Sequence, residues 1–432
     1  MNYKLDNVQL HDPELYDLIR REEYRQETTL EMIASESIQS PQLLEINACA
    51  FNNKTVVGAL GGQHLAGSDV ADQLIRLTAE RACKLYGAEH ANVHVYSGST
   101  ANYAVYAACL EIGDQVLAIR TDHGGHATHG DSGNIASKMY RFAFYSVTED
   151  TNLIDYDELE RMAHELRPKL IVGGGNTYSQ CVDYARIASI AKSVGAYFMF
   201  DMAHYTGLIA AGLMPSPVPY ADFVTGSTTK TICGPRSGFI LCKKEYAEMV
   251  DRGACPQIVA SLHLQTMAAM AHAFEYAARP EFKCLMQRTV DNAQALCRAL
   301  QLRGFKIVTD GTLCHLMVID IRNRNISGKE FVQILDKIKL SVNPVPVPYD
   351  PSPDRNGIRI GCTVSAQRGM GCAQMEQIAS IIDRVSRDPY NEMLLAECAK
   401  EVQTITEQFP LYGQYDGGDK RSVNAREVNP KV

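Results

Sequence analysis

Lys230 stands in a run of small hydroxyl residues, FVTGSTTKTICGPRSG (223–238), between an apolar segment and a Gly-Pro-Arg turn. A lysine in such a run is either a solvated surface charge or an amine reserved for covalent work on a carbonyl compound. Three other stretches bear on the choice. YSGSTAN (96–102) follows the apolar NVHV and precedes AVYAACLEIG, so Ser97, Gly98 and Ser99 open a helix whose first N–H groups suit a phosphate. The plain alternative is an N-capped helix with no ligand. AYFMFDMAH (196–204) sets Asp201 and His204 just past an apolar strand, the edge at which open α/β sheets bind ligands. An acid there also serves as an ordinary helix cap. DHGGHATHG (122–130) carries His123, His126 and His129, evenly spaced as metal ligands can be. Two consecutive glycines make a poor rigid cage and no thiol or carboxylate cluster supports it, so no metal is expected.

Together these parts match what pyridoxal 5'-phosphate needs. A lysine forms the Schiff base, an aspartate pairs with the pyridinium nitrogen, an imidazole stacks on the ring, and hydroxyls with N–H groups hold the phosphate.

The elements that would position them follow from the hydrophobic pattern. From about 45 to 275, short apolar runs (VLAIR, LIVGG, AYFMFD, FIL) alternate with helix-period stretches such as LIRLTAERACKLYG and YARIASIAKSVG. That alternation predicts an α/β fold with a mostly parallel sheet covered on both faces. After the break at Pro280 the pattern predicts a smaller α+β domain: a helix over 283–303, a strand HLMVIDI, a helix GKEFVQILDKI, a strand IRIGCTVS and a last helix AQMEQIASIIDRVSR. The proline-rich SVNPVPVPYDPSPDR continues neither element type. The expected organisation is an N-terminal helical arm over 1–45, a cofactor-binding large domain over 46–279, a small domain over 280–406 and a polar, disordered tail over 407–432.

Composition limits the partners. A net charge of −8 and a pI near 5.9 argue against nucleic acid, because phosphate neutralisation needs clustered Lys and Arg. No run of eighteen apolar residues predicts a membrane span, and the start lacks signal-peptide regions, so a cytoplasmic location is expected. The thirteen scattered cysteines form no CxxC pair and fit buried thiols in a reducing compartment.

MIASES, YSGSTANYAVY, DHGGHATHG, FDMAHYTGLIAAG, TTKTICGPRSG and NGIRIG occur in that order over roughly residues 10–390. In these stretches the chain resembles serine hydroxymethyltransferase, a fold-type I pyridoxal-phosphate enzyme. The resemblance implies that Lys230 is the Schiff-base lysine, that Asp201 pairs with the cofactor nitrogen and that His126 stacks on its ring. It places Ser97, Gly98 and Ser99, helped by Ser227, on the phosphate, and Asn176 near the cofactor. Arg359 would fork the substrate carboxylate, with Ser35 and His204 beside that carboxylate and the cofactor's phenolic oxygen. It also implies an α-amino-acid substrate and a homodimer.

The chain departs from that family where folate and the hydroxymethyl group would lie. Thr55, Val57, His64 and Leu65 stand in place of a tyrosine, a glutamate and a pair of tyrosines. Val345 replaces an asparagine, Thr229 a histidine, Asn176 a serine, and CPQIVASLH (255–263) a glycine-rich loop. A valine cannot shuttle a proton, so these changes predict that folate is not used. The expectation drawn from them is an oxygen-dependent monooxygenase-decarboxylase of the capuramycin-type nucleoside antibiotic pathways. Such an enzyme would turn a glycyl nucleoside into a carboxamide with O2, with His126 and His129 managing protons. The alternatives are a folate-free threonine aldolase or transaldolase, a serine hydroxymethyltransferase-type carbon–carbon lyase, or a non-catalytic paralogue.

Overall fold

A computed structural model of the chain describes residues 5–58, 62 and 64–413. Thirteen strands occur among them: β1 (Leu30–Glu31), β2 (His90–Asn92), β3 (Gln115–Ile119), β4 (Arg141–Tyr145), β5 (Leu170–Gly174), β6 (Tyr197–Asp201), β7 (Phe223–Ser227), β8 (Gly238–Cys242), β9 (Lys306–Ile307), β10 (Leu316–Asp320), β11 (Leu340–Ser341), β12 (Asn343–Val345) and β13 (Gly357–Gly361).

Seven of them make the large sheet, in the order β2-β8-β7-β6-β5-β3-β4. The five strands from β7 to β4 run parallel, while β8 is antiparallel to β7 and β2 to β8. The strands are apolar on both sides because helices cover both faces. Val116, Ala118, Leu170, Val172 and Met199 face one core with Ala101, Ala104 and Val105 of the helix Gly98–Cys109. Leu117, Ile119, Ile171, Phe198 and Phe200, offset by one residue, face the other core with Tyr184, Ile187 and Tyr205. The period of two in the strands thus builds two cores from one sheet. In the helix Tyr184–Val194, Asp183 Oδ1 accepts the Arg186 N–H at 2.9 Å at one end, and Gly195 closes the other at φ 73°.

The second body is an antiparallel sheet, β12-β13-β10-β9. Its core joins Met317, Ile319, Ile358 and Ile360 to the helices Pro280–Leu302 and Cys372–Arg387. Leu30 and Met32, in the stretch read as an N-terminal arm, are buried in this core, and β1 pairs parallel with β11. The helix Pro13–Thr28 buries no residue and leaves Leu15 and Leu18 exposed, as its sparse apolar pattern predicts.

The structure departs from the sequence reading in three places. Asn343–Val345, inside the proline-rich stretch, is a strand; it lies at the sheet edge, where Pro344 has no ladder bond to lose. Cys372–Arg387 is not the last helix: Glu392–Gln408 follows, buries Cys398, Val402 and Ile405, and crosses the point at which the tail was expected to begin. The tail beyond 413 lies outside the described residues. RFAFY (141–145), unassigned from the sequence, is the edge strand β4. No helix among the described residues is long and apolar enough to cross a membrane.

Candidate active site

Parallel strands deliver their C-terminal ends to one edge of the sheet. His126 and His129 follow β3, Asn176 follows β5, Asp201 ends β6 with His204 just after, and Lys230 follows β7. The helix Gly98–Cys109 points its N-terminus into the same region. Ser97 is its N-cap: Ser97 Oγ accepts the Thr100 N–H at 3.1 Å while Thr100 Oγ1 accepts the Ser97 N–H at 2.8 Å. Gly98 and Ser99 N–H take part in no hydrogen bond among the described residues, which leaves two donors at the positive end of a helix. A Cβ on Gly238 would collide with the Ser97 carbonyl oxygen, and one on Gly98 would sit 3.6 Å from Ala203 Cβ and Ser227 Cβ. The cradle is therefore backbone, enclosed by the turn after β6 and the end of β7. Of the residues expected on a phosphate, Gly98 and Ser99 offer N–H groups, whereas the Ser97 hydroxyl is already used in the cap. Ser227 Oγ lies 3.1 Å from Thr229 Oγ1.

Asp201 is 4 % exposed. Burial raises its pKa, but a hydrogen bond from His129 and the positive charge of nearby Lys230 outweigh that and hold the carboxyl well below the usual carboxylate range. Its Oδ1 accepts the Ala203 N–H at 2.9 Å; its Oδ2 accepts Asn102 Nδ2 at 2.8 Å and lies 3.3 Å from His129 Nε2. Burial pushes His126 down to about 4, so its ring is neutral at ordinary pH. Burial, aided by Arg359 and opposed by Asp201, brings Lys230 down to about 8, within reach of the neutral, nucleophilic form. Ligand atoms of His126, His129 and Asp201 lie within 4.8 Å of one another. Both His129 nitrogens and His126 Nδ1 are already bonded inside the chain, an arrangement that suits a fixed carboxylate better than a metal cage.

Arg359 sits in the middle of β13, opposite Asn343 of β12 and Val318 of β10. It is 8 % exposed. Nε donates to Asn343 Oδ1 at 3.0 Å and Nη1 to the Asn176 carbonyl at 2.8 Å. Burial lowers it to about 10, and among the described residues no carboxylate pairs with it. Asn176, expected beside the cofactor, acts through its backbone as this arginine's anchor. His204, 2 % exposed, is pushed well below the ordinary histidine value, first by burial and then by Lys230 and Arg359. Ser35 follows Ala34, which packs on Gly361 two residues beyond Arg359.

The positions that differ from the family fall into two groups. Thr55, His64 and Leu65 are exposed, and Val57 is half-buried and bridged to Ser261 of the altered loop. His263 of that loop stacks on Tyr96 at 4.6 Å. Val345 is buried in β12 across from Gly357. Thr229 offers its carbonyl to Ser37 Oγ.

Four buried residues were not singled out from the sequence: Asn102, Thr128, Thr225 and His315. Asn102 ends the YSGSTAN motif, a signal that could have drawn attention to it. His315 had none. It is fully buried, its Nε2 lies 3.2 Å from the Ala34 carbonyl and 3.4 Å from His204 Nδ1, and its Nδ1 has no partner among the described residues.

A helix N-terminus with free N–H donors, a buried ionised aspartate, a lysine near neutrality and an unpaired guanidinium fit pyridoxal 5'-phosphate and an amino acid. With the mostly parallel sheet they define a fold-type I pyridoxal-phosphate enzyme. The chain belongs to the serine hydroxymethyltransferase family, whose profile matches residues 8–382. A serine hydroxymethyltransferase of Acidobacterium capsulatum is 44% identical over 404 residues, covering 93% of this chain and 95% of that protein. Family enzymes use pyridoxal 5'-phosphate.

This likeness overturns the expected oxygen-dependent monooxygenase-decarboxylase. It extends through nearly the whole chain, whereas that expectation rested on a handful of positions. The O2 partner and the antibiotic-pathway assignment lose their support with it, and the likeness to a serine hydroxymethyltransferase makes the exclusion of folate doubtful.

Proposed function

We propose that the protein makes and breaks the Cα–Cβ bond of a β-hydroxy-α-amino acid, with serine as substrate, glycine as product and the β-carbon leaving at the formaldehyde level to an acceptor such as tetrahydrofolate, as the name of its relative indicates. The observation that carries this reading is Arg359. A buried guanidinium with two neutral acceptors and no carboxylate among the described residues keeps a donor for an incoming anion, and a substrate carboxylate fits its fork. When bound, pyridoxal phosphate supplies the electron sink that weakens bonds at Cα. Lys230 would hold it covalently, Asp201 would face its ring nitrogen, Gly98 and Ser99 would hold its phosphate, and neutral His126 would lie against its ring. Arg359 orients the amino acid by its carboxylate, and the Asn343 and Asn176 bonds keep that guanidinium from swinging away.

The working form in this reading is a homodimer. The N-terminal helices Asp6–His11 and Pro13–Thr28 bury nothing within the subunit, and Leu10, Leu15, Leu18 and Tyr24 are exposed on them. A second copy would cover them and would meet Thr55, His64 and Leu65.

The test is to load the protein with pyridoxal phosphate and supply L-serine or L-threonine, with and without tetrahydrofolate. Glycine from serine, accelerated by tetrahydrofolate, supports hydroxymethyl transfer. Acetaldehyde from threonine with no response to tetrahydrofolate would favour the aldolase alternative. Glycine from neither substrate would refute the proposal.

A further inference from the structure

Asn102 is fully buried in the helix behind the cradle, and its carboxamide meets three buried polar groups. Oδ1 accepts the Thr225 hydroxyl at 2.6 Å, and Nδ2 donates to Asp201 Oδ2 and to Thr128 Oγ1, both at 2.8 Å. One side chain reaches this set because Asp201 and Thr225 are register partners on β6 and β7. The charge on Asp201 decides which way the amide faces. Turned over, Oδ1 would confront an ionised carboxylate with no proton between them.

The protons downstream then follow in order. The Thr128 N–H points at His126 Nδ1 at 3.3 Å, which makes that nitrogen an acceptor, and the Thr128 hydroxyl, with the Asn102 N–H on its oxygen, turns its own proton to the same nitrogen at 2.8 Å. His126, neutral, therefore carries its ring proton on Nε2. The His126 N–H donates to His129 Nδ1 at 3.3 Å, which leaves the His129 Nε2–H facing Asp201 Oδ2.

We propose that Asn102 is a positioning residue: one carboxamide holds Asp201 Oδ2 in place and, through Thr128, fixes the ring proton of His126 on Nε2. The carboxylate assigned to the cofactor nitrogen and the imidazole assigned to the cofactor ring are thus organised by the same side chain. The inference rests on the pyridoxal-phosphate reading of the site for its catalytic meaning, but its geometry is a property of the cofactor-free chain. The titratable groups facing Asp201 are His126 and His129 from the loop after β3, Lys230 after β7, and Tyr106 and Tyr205.

The experiment is nitrogen-15 NMR of histidine-labelled, cofactor-free protein, with the His126 signal assigned by its loss in His126→Asn. In the unsubstituted chain His126 should show the Nε2–H tautomer. Asn102→Asp keeps the size of the side chain and, taking up a proton beside ionised Asp201, keeps one donor toward that carboxylate while offering Thr128 an acceptor in place of an N–H. It should draw the Thr128 hydroxyl proton toward the new carboxyl oxygen and move the His126 proton to Nδ1. Thr128→Val, which keeps shape and removes the relay hydroxyl, leaves only the Thr128 N–H on Nδ1 and should raise the share of the Nδ1–H tautomer; it serves if Asn102→Asp does not fold, folding being checked by thermal unfolding. An unchanged His126 tautomer in either folded variant would overturn the inference, because a residue that only fills space is indifferent to an isosteric change. Failure of the unsubstituted chain to bind pyridoxal phosphate, read by visible absorbance and by the mass of the Lys230 peptide after borohydride reduction, would overturn the cofactor reading and the role drawn from it. The tautomer result separates that failure from failure of the network.

Discussion

Arg359 and Asn343 are register partners across β13 and β12, and Arg359 Nε donates to Asn343 Oδ1 at 3.0 Å. The bond fixes a buried cation by a neutral acceptor, so the charge remains for a ligand. Replacing Arg359 by Leu should raise KM for serine by roughly a hundredfold, the loss of one to two charge-assisted bonds of about 1.5–3 kcal/mol each. Steady-state kinetics with serine and with its amino-alcohol analogue checks the assignment. The substitution should erase the preference for the carboxylate and leave the analogue nearly unaffected.

Lys230, brought down to about 8, should be attacked by carbonyl reagents at a lower pH than an ordinary lysine. The neutral amine is the reactive form, so labelling of the cofactor-free protein should rise with pH through a midpoint near that value. Arg359 lowers the value and Asp201 raises it. Arg359→Leu should therefore move the midpoint up and Asp201→Asn should move it down. Reductive alkylation read by peptide mass distinguishes the two shifts, and movement in the same direction would contradict the electrostatics.

Ser97 caps its helix with its own hydroxyl. Ser97→Ala should cost the cofactor-free protein about 1 kcal/mol of stability, while Ser97→Asn should recover most of it. Denaturant unfolding measures both. A loss seen only with the cofactor bound would mean that the hydroxyl serves the phosphate and not the cap.

His315 is buried and pushed down to about 3, mainly by burial. Its folded value lies below the ordinary 6.5, so the unfolded chain takes up a proton first. The stability linked to it is present above the unfolded value and is lost as pH falls from there toward the folded one. The unsubstituted chain should lose about 1.4 kcal/mol more per pH unit than His315→Gln on acidification from about pH 6 to about pH 4. Unfolding curves at several pH values provide the check, and parallel pH profiles would show that His315 is already charged in the folded state.

Alternating apolar runs and helical stretches determined the large domain, because a strand buried on both faces has no room for polar residues and leaves a continuous apolar signature at β3, β5 and β6. Short motifs likewise made Lys230, Asp201, His126 and the Gly98 turn legible, since a cofactor dictates residue types close together in sequence. Arg359 was legible only through the resemblance; IRIG alone is an ordinary strand. Tertiary structure decided what sequence spacing cannot encode. Asn102, Thr128, Thr225 and Asp201 come from four segments, and only the helix packing on the sheet and the register of β6 with β7 bring them together. The same holds for His315, which meets His204 and Ala34 across 111 and 281 residues of chain. The altered Thr55, Val57, His64 and Leu65 were conspicuous in the sequence and invited a different chemistry. A side chain's weight in a mechanism depends on what it faces, and for three of these four, exposed in the single subunit, a second copy of the chain decides that.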